Sequence, residues 1–245
     1  MNIEFVRPQK VMNNGNVLCC ITTGTGGYSA LPYGLNMSLK VNDNPEAVIK
    51  NRNAVYSALG ISNEKIVLQK QIHSANISYV TEGGTIPAND ALITDKKNLF
   101  LAVSVADCYP VFLTDTSHKV AAAIHSGWRG TEKNITGLTV EKLKNKFEIN
   151  PVDMLAFIGP GICAEHFEVG REVYEKFSEN VRFSNGEKYY VDLRKNIFNQ
   201  LINSGLKNDN IEVSGLCTYG NPKLHSYRRD REVSGRMFGF IGLLP

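Results

Sequence analysis

The chain has 245 residues, of which 42% are hydrophobic and 21% are charged, and its formal net charge is +3. This length and composition predict one globular domain, spanning 1–245, whose core is large enough to need no disulfide bonds. The 27 basic and 24 acidic residues form no long block of one sign, so no nucleic-acid partner is indicated.

The sequence predicts neither an export signal nor a membrane anchor. The N-terminal MNIEFVRPQK lacks the apolar core of a signal peptide, and no window approaches the ~20 apolar residues of a bilayer span. The five cysteines are an odd number at irregular spacing, which favours reduced thiols. We therefore expect a cytoplasmic protein without a membrane partner. Its oligomeric state is not indicated.

Helical and strand patterns follow one another irregularly along the chain. A helix is predicted from Asn44-Pro45 to Gly60, and further helices over 131–147, 169–178 and 193–204. Short apolar runs predict strands at KIVLQKQ, NISYV, LFLAVSV, PVFLTD, KVAAAIH, MLAFIG, IEVSG and MFGFIGLL. Several strands precede the second helix, so regular βαβ alternation fails. The pattern favours a mixed α/β class with packed sheets and outer helices.

Three polar side chains lie where apolar strands end. His73 follows IVLQKQI, Cys108 follows LFLAVSVAD, and His125 follows KVAAAI. Strand ends from distant parts of a chain can converge on a rigid scaffold. Two imidazoles and one thiolate suit Zn²⁺, and three protein ligands leave a position open for a substrate, as in catalytic zinc sites.

The spacing of these residues leaves other interpretations open. Each histidine could be a satisfied, partly buried residue, and Cys108 a core thiol. A metal-free alternative makes Cys108 a nucleophile whose pKa is lowered by a histidine, as in cysteine hydrolases. A further alternative is a non-catalytic module in which the metal is absent and the pocket only binds a ligand.

Arginines near these segments are candidates for binding an anion. Arg129, in HSGWRGT, could grip a phosphate with two parallel hydrogen bonds. Arg228 and Arg229 could close the site or form a charged turn with Asp230. The only tryptophan, Trp128, is expected in the core. Cys163 and His166 are expected to be packing residues, and His118 is expected to be solvated.

Six strings in chain order resemble the YfiH family, also called laccase-domain or multicopper polyphenol oxidoreductase-like proteins. They are QIHSANI, DALIT, ADCYPVFLTD, AAIHSGWRGT, IGPGICAEHFEVG and SYRRDREVSGRM. The resemblance covers nearly the whole chain. It implies a layered α/β/β/α fold related to the catalytic domain of cytotoxic necrotizing factor.

The resemblance also implies a chemistry. It places a zinc site on His73, Cys108 and His125, and it implies a purine nucleoside phosphorylase with adenosine deaminase activity, acting on adenosine, inosine and methylthioadenosine. The ligands would be a nucleoside and phosphate. A copper-dependent polyphenol oxidase, or a Cys/His hydrolase acting on peptidoglycan precursors, is the alternative. Copper is the weaker choice because five histidines cannot furnish a conventional laccase set.

The sequence departs from the family pattern at two places. Gly24, in TTGTGGYS, stands where the family usually has an arginine, so phosphate binding would depend on Arg129 and Arg228. Ser74 stands where a glycine usually follows the first histidine. Asn36 matches the family's L-N motif and is a pocket candidate. Asp107, beside Cys108, is expected to orient a histidine or to transfer protons.

Overall fold

Strands outnumber helices in the computed structural model, which describes residues 3–12 and 15–245. The strands are β1 (Phe5–Val6), β2 (Val17–Thr22), β3 (Ile66–Gln69), β4 (Ile77–Tyr79), β5 (Gly84–Ile86), β6 (Ala91–Thr94), β7 (Phe100–Val105), β8 (Tyr109–Asp115), β9 (Ala121–Ser126), β10 (Met154–Ile158), β11 (Glu168–Val169), β12 (Arg182–Asn185), β13 (Lys188–Val191), β14 (Ile211–Val213) and β15 (Met237–Leu243). The helices are α1 (Pro45–Leu59), α2 (Trp128–Glu132), α3 (Ile135–Phe147), α4 (Arg171–Tyr174), α5 (Leu193–Asn203) and α6 (Tyr227–Asp230).

Two six-stranded sheets form the centre of the fold. The first has the order β1-β2-β15-β7-β3-β5 and the second β14-β10-β8-β9-β6-β4, and a small sheet has the order β11-β13-β12. Both large sheets are mixed: β7 pairs in parallel with β3 and antiparallel with β15, and β10 pairs in parallel with β14 and antiparallel with β8. Apolar side chains of both sheets share one cluster, with Val103 and Ile241 from the first and Phe112 and Ala123 from the second. The two sheets therefore pack face to face.

Helices cover the outer faces of the two sheets. On the first sheet, Tyr56 of α1 meets Phe240 edge to face, with ring centroids 6.1 Å apart. On the second sheet, Val140 of α3 and Ile197 of α5 are fully buried in one cluster with Val111. Each such side chain contributes about 1.5–3 kcal/mol by leaving water. The order of layers is helix, sheet, sheet, helices, which confirms the predicted α/β/β/α arrangement. The relation to cytotoxic necrotizing factor stays a prediction.

The first helix begins and ends where the sequence predicts. The Asn44 side chain accepts hydrogen bonds from the backbone N–H groups of Glu46 and Ala47, and Pro45 occupies the first turn. Gly60 ends the helix in the left-handed conformation, with φ of 67°. The prediction over 193–204 is confirmed as α5, where the Asp192 carboxylate caps the N-terminus by accepting from Lys195 N.

Two helix predictions are wrong in extent. The segment predicted over 131–147 is divided into α2 and α3, because Asn134 takes a left-handed conformation with φ of 59° and interrupts the first turn. The helix predicted over 169–178 is reduced to the single turn of α4, from which Val173 and the following Phe177 already reach the core. Across residues 3–12 and 15–245, every helix lacks the length or the apolar composition that crossing a bilayer requires.

Every apolar run predicted to be a strand contains one, but central strands are missing from the prediction. β2 is buried at all six positions and pairs with β15, and β6 is buried throughout and pairs with β9. Strands buried on both faces show continuous apolar runs without the alternation that marks a half-exposed strand. Periodicity alone therefore gives little sign of them.

Candidate active site

Three remote side chains meet at one end of the second sheet. His73 lies in the loop after β3, Cys108 directly precedes β8, and His125 is in β9. Pairing of β8 with β9 sets Pro110 opposite His125, which carries Cys108 to the same end of the sheet. Their potential ligand atoms all lie within 4.8 Å of one another, and His73 Nε2 is 4.0 Å from Cys108 Sγ. The structure thus brings together the three residues that the sequence predicts as metal ligands.

A buried carboxylate that the sequence analysis did not assign holds two of these residues in place. Asp90 Oδ1 accepts a hydrogen bond from His125 Nδ1 at 2.9 Å and one from the His73 backbone N–H at 3.1 Å. Asp90 Oδ2 accepts from both the backbone N–H and the hydroxyl of Ser74, each at 2.6 Å. These bonds hold His73 in a left-handed conformation, with φ of 59°. With Nδ1 engaged, His125 presents Nε2 as its free ligand atom.

The charges of the cluster favour an ionised thiol. Burial alone would raise the pKa of Cys108, but the charge of His125 and hydrogen bonds from both histidines lower it to about 6. Burial would likewise lower the pKa of His125, yet Cys108 and Asp90 raise it to about 9. Hydrogen bonds from His125 and Ser74 outweigh burial and lower the pKa of Asp90 to about 2. Cys108 is therefore a thiolate at neutral pH, the state that binds a metal or attacks an electrophile.

This donor set fits a bound metal ion. One thiolate and two imidazoles suit Zn²⁺, and three protein ligands leave a position for a small molecule. A carboxylate behind one histidine is the usual partner of a ligating imidazole, and it fixes the tautomer and the ring orientation. His73, Cys108 and His125 are the residues that would hold the ion.

Gly127 lets the backbone pass close to the three ligand residues. A Cβ at this position would lie 2.9 Å from Cys108 Sγ and 3.0 Å from His73 Cδ2, so one of the two side chains would have to move. We expect Gly127→Ala to weaken metal binding about tenfold or more, because ligand positions must be held closely. A competition titration with a chromogenic chelator measures this.

The control for this prediction is Gly215→Ala. A Cβ at Gly215 has no neighbouring atom within 4 Å among the described residues. That variant should therefore bind metal as the wild type does. An unchanged affinity in Gly127→Ala would show that His73 and Cys108 do not together bind the ion.

A cleft of about 720 Å³ opens beside the three ligand residues. Small-molecule sites typically measure about 300–1,000 Å³. Its walls carry the guanidinium groups of Arg52, Arg228 and Arg236 and the rings of Phe167 and Phe238. Burial lowers the pKa of both Arg52 and Arg236. Cations partly shielded from water gain from an anionic ligand, so the cleft suits a molecule that carries both an apolar ring and a negative charge.

Asn36 acts on the cleft through Arg236. Its side chain is fully buried and donates to Ser38 O at 3.0 Å and to Asp43 Oδ2 at 2.8 Å. Its Oδ1 accepts from the backbone N–H of Arg236 at 2.9 Å. Asn36 does not line the cleft among the described residues, whereas Arg236 does. The pocket role predicted for Asn36 is therefore one of positioning.

Asp107 anchors the cleft wall and does not orient a histidine. Its Oδ1 accepts from the Thr218 hydroxyl at 2.6 Å, and its Oδ2 accepts from the backbone N–H of Arg228 at 2.6 Å. These bonds hold a left-handed residue, with φ of 88°. The expectation that Asp107 orients a histidine is thus corrected, because Asp90 performs that function.

The other predicted arginines lie elsewhere. Arg129 is exposed, its guanidinium carbon lies 4.3 Å from the centre of the partly buried Trp128 ring system, and it is not among the described residues that line the cleft. Arg229 is fully engaged in structure: it donates to the carbonyls of Thr218 and Leu224 and pairs with Asp230. The prediction that Arg129 holds an anion in the site is not supported by its position. His118, expected to be solvated, is buried.

Gly24, at the position where the family usually has an arginine, packs against His225. A Cβ there would lie 3.1 Å from three atoms of the His225 ring. The backbone on both sides is fixed, since Gly24 N donates to Lys223 O and Gly24 O accepts from Leu35 N. The cleft retains three guanidinium groups without an arginine at this position.

Comparisons with known proteins agree over nearly the whole chain. A family model described as multi-copper polyphenol oxidoreductase laccase matches residues 18–244. A Bacillus subtilis protein named purine nucleoside phosphorylase YlmD is 34% identical to this chain, over 96% of this chain and 91% of its own length. A Deinococcus radiodurans protein named purine nucleoside phosphorylase is 36% identical, over 91% of this chain and 87% of its own length. A crystal structure of Bacillus licheniformis YfiH superposes with a TM-score of 0.88 at 33% identity, covering 93% of this chain and 92% of the other.

Proposed function

Because the chain belongs to the multi-copper polyphenol oxidoreductase laccase family, which includes the YfiH proteins, and has relatives named purine nucleoside phosphorylase, we propose that it is a zinc-dependent purine nucleoside phosphorylase. One observation carries the proposal: the residues that would hold a metal, His73, Cys108 and His125, line the same cleft as the guanidinium groups. The proposed substrates are phosphate with adenosine, inosine or methylthioadenosine, and the proposed location is the cytoplasm.

The reaction brings the negative charge of phosphate to the ribose and moves negative charge onto the departing purine. A phosphate oxygen forms a bond to C1′ of the ribose while the bond from C1′ to N9 of the purine breaks. The purine leaves with the bonding electron pair and takes up a proton. An enzyme accelerates this exchange by holding phosphate near the anomeric carbon and by balancing the charge that moves onto the base.

The chain's own cations can bind the phosphate. Arg228 and Arg236 line the cleft, and each guanidinium can offer two parallel N–H donors to phosphate oxygens. Arg236 is held by Asn36 through its backbone and Arg228 by Asp107, so neither backbone needs to order on binding. The faces of Phe167 and Phe238 offer apolar surface for the purine and exclude water from it.

The three ligand residues supply the electrostatic part of the site. His73, Cys108 and His125 would hold a Zn²⁺ ion, which would supply Lewis acidity for a ligand oxygen in the cleft. The Cys108 thiolate and the Asp90 carboxylate offset the positive charge of this region. Asp90 also keeps His125 in a single orientation, so the site is organised before substrate binds.

Product analysis tests the proposed function. Purified protein is incubated with each of the three nucleosides, with and without inorganic phosphate. Free purine and ribose 1-phosphate, formed only when phosphate is present, are the expected products. Conversion of adenosine to inosine without phosphate would add the deaminase activity that the family resemblance implies. Absence of phosphate-dependent products from all three nucleosides would overturn the proposal.

Arg228 is expected to bind phosphate. We expect Arg228→Ala to raise the KM for phosphate about 10–100-fold, since a charge-assisted hydrogen bond contributes roughly 1.5–3 kcal/mol. The KM for the nucleoside should change much less. Initial rates at varied phosphate concentration measure the effect. Arg129→Ala is the matched control, because that arginine is exposed and stacks on Trp128. A larger effect in Arg129→Ala than in Arg228→Ala would contradict the assignment.

The state of Cys108 supports a second candidate, a Cys/His hydrolase of peptidoglycan precursors. The lowered pKa of the thiol beside His125 is the arrangement that activates a cysteine nucleophile. The two functions differ in their metal requirement. A hydrolase of this kind would work without metal and form a covalent acyl intermediate on Cys108, detectable by mass spectrometry. Phosphorolysis that is lost when zinc is removed would decide against it.

A further inference from the structure

A second cluster of metal-ligand side chains lies outside the proposed active site. Cys163 and His166 come from the loop after β10, and Cys217 comes from the loop after β14, about 50 residues further along the chain. Their ligand atoms all lie within 4.8 Å of one another. The sequence predicts Cys163 and His166 to be packing residues and Cys217 to be one of five reduced thiols. None of the three belongs to the His73, Cys108 and His125 group.

The two distances from sulfur to nitrogen are close to those between ligands of a tetrahedral ion. Cys163 Sγ lies 3.0 Å and Cys217 Sγ 3.5 Å from the same nitrogen, His166 Nδ1. With Zn–S bonds of about 2.3 Å and Zn–N bonds of about 2.0 Å, sulfur and nitrogen ligands are separated by about 3.5 Å. An ion can therefore be accommodated with shifts of a few tenths of an ångström in the side chains.

The surrounding chain holds the donors in this arrangement. The backbone N–H of Cys163 donates to Cys217 Sγ at 3.2 Å, a contact that also supports ligating thiolates. Gly161 and Cys217 form a parallel β-bridge, and Thr218 N donates to Gly161 O at 3.0 Å. The Tyr219 ring stacks on the His166 ring, with centroids 4.4 Å apart. Two loops and an aromatic ring thus set the orientation of the imidazole.

We propose that Cys163, His166 and Cys217 bind a second zinc ion in the wall of the cleft, where three protein ligands leave its fourth position open to water or a small molecule. The wall adjoins these residues directly. Arg228 Nη1 donates to the carbonyl of His166 at 3.1 Å, and Phe167 follows His166 in the chain. Thr218, next to Cys217, donates its hydroxyl to Asp107. An ion here would tie the loop that carries Phe167 to the segment that leads into α6, and Phe167 and Arg228 of α6 both line the cleft.

The metal content of the full-length protein tests this proposal. The protein is stripped with chelator under reducing conditions, reloaded with Zn²⁺, desalted and analysed by elemental mass spectrometry. We expect about two zinc ions per wild-type chain and about one in Cys217→Ser, in His166→Gln and in Cys108→Ser. The double variant Cys108→Ser/Cys217→Ser should hold almost none. Cys20→Ala, which removes a buried thiol of β2, should keep both ions.

Cobalt substitution separates loss of a ligand from loss of the fold. Each thiolate–Co²⁺ bond contributes near-ultraviolet absorption, so Cys217→Ser, which loses the second ion and with it both thiolate bonds of that site, should lose about two thirds of the wild-type signal, as should Cys163→Ser/Cys217→Ser, whereas Cys108→Ser should lose about a third. The circular dichroism spectrum of these variants should match that of the wild type. One zinc per wild-type chain, a Cys163–Cys217 disulfide in the reduced and reloaded protein, or zinc content unaffected by Cys217→Ser and His166→Gln would each overturn the proposal.

Discussion

Replacing Cys108 with alanine is expected to lower kcat/KM for phosphate-dependent cleavage of a purine nucleoside about a thousandfold, because a metal ion supplies several kcal/mol of transition-state stabilisation and ~1.4 kcal/mol corresponds to a factor of ten. The variant loses the only thiolate among the three groups that would hold the ion. Steady-state rates at saturating phosphate, measured alongside zinc content, give the result.

Cys20→Ala is the matched control for this prediction. Cys20 is fully buried in β2, on the face of the first sheet that α1 covers, and its side chain belongs to that outer cluster. Its loss should lower the free energy of unfolding slightly and leave kcat/KM near the wild-type value. Unchanged activity in Cys108→Ala would show that the reaction takes place elsewhere in the molecule.

Asp90→Asn is expected to weaken zinc binding at His73, Cys108 and His125 about 10–100-fold. An amide can no longer accept all the hydrogen bonds that the Asp90 carboxylate accepts from His125 and from the His73–Ser74 segment. The variant should also be less stable. A chelator competition titration gives the affinity, and urea unfolding of the metal-free protein gives the free energy of unfolding.

The Asp90 carboxylate also makes the free energy of unfolding depend on pH in the acid range. Its pKa in the folded protein is about 2, below the value of about 3.9 in an unfolded chain. The stabilisation by Asp90 is therefore present above about pH 4 and is lost as the pH falls from about 4 to 2. In Asp90→Asn, that part of the acid destabilisation should be missing.

Asp115→Asn separates a general effect on stability from an effect on the metal. Asp115 is also buried, and its carboxylate accepts backbone hydrogen bonds from Ser117, Lys119 and Val120 in the turn after β8. This variant should be destabilised and should bind zinc normally. Zinc affinities that fall equally in Asp90→Asn and Asp115→Asn would contradict the role assigned to Asp90.

The parts of the fold that the sequence predicts well are those with local signals. The Asn44 cap and Gly60 mark both ends of α1, and alternation or short apolar runs mark most strands. The break between α2 and α3 has only a weak signal: asparagine adopts the left-handed conformation of Asn134 more readily than most residues do, but it is also common within helices. β2 and β6 are as fully buried as β8, β9 and β15, which the sequence does predict, but their apolar runs are weaker because β2 contains two cysteines and β6 has only four residues.

Residue chemistry located the ligands of the proposed active site, but not the groups around them. Two histidines and a cysteine at strand ends indicate a metal whichever way the strands are ordered. Asp90 becomes visible only through the pairing of β6 with β9, which places it beside His125. Arg236 lies more than 100 residues after all three ligands in sequence and reaches the cleft from the position directly before β15. Arg129, only four residues after His125, lies in α2 with its guanidinium over the Trp128 ring and is not among the described residues that line the cleft.

The laccase name of the family describes a different chemistry from the one proposed. Oxidation coupled to oxygen reduction requires several coppers held largely by histidines. Within residues 3–12 and 15–245, the groups able to hold an ion are His73/Cys108/His125 and Cys163/His166/Cys217, with three histidines between them. Their mixture of thiolates and imidazoles suits zinc, and the guanidinium groups of the cleft suit a phosphate.

A zinc titration of the metal-free protein tests most directly whether phosphorolysis requires a zinc ion at His73, Cys108 and His125. Ribose 1-phosphate formation from inosine is followed as zinc is added to Cys217→Ser, in which only the ion beside Cys108 should bind. The account predicts that activity rises in proportion to added zinc and levels off at about one ion per chain. Full activity before any zinc is added, or none at saturation, would contradict it.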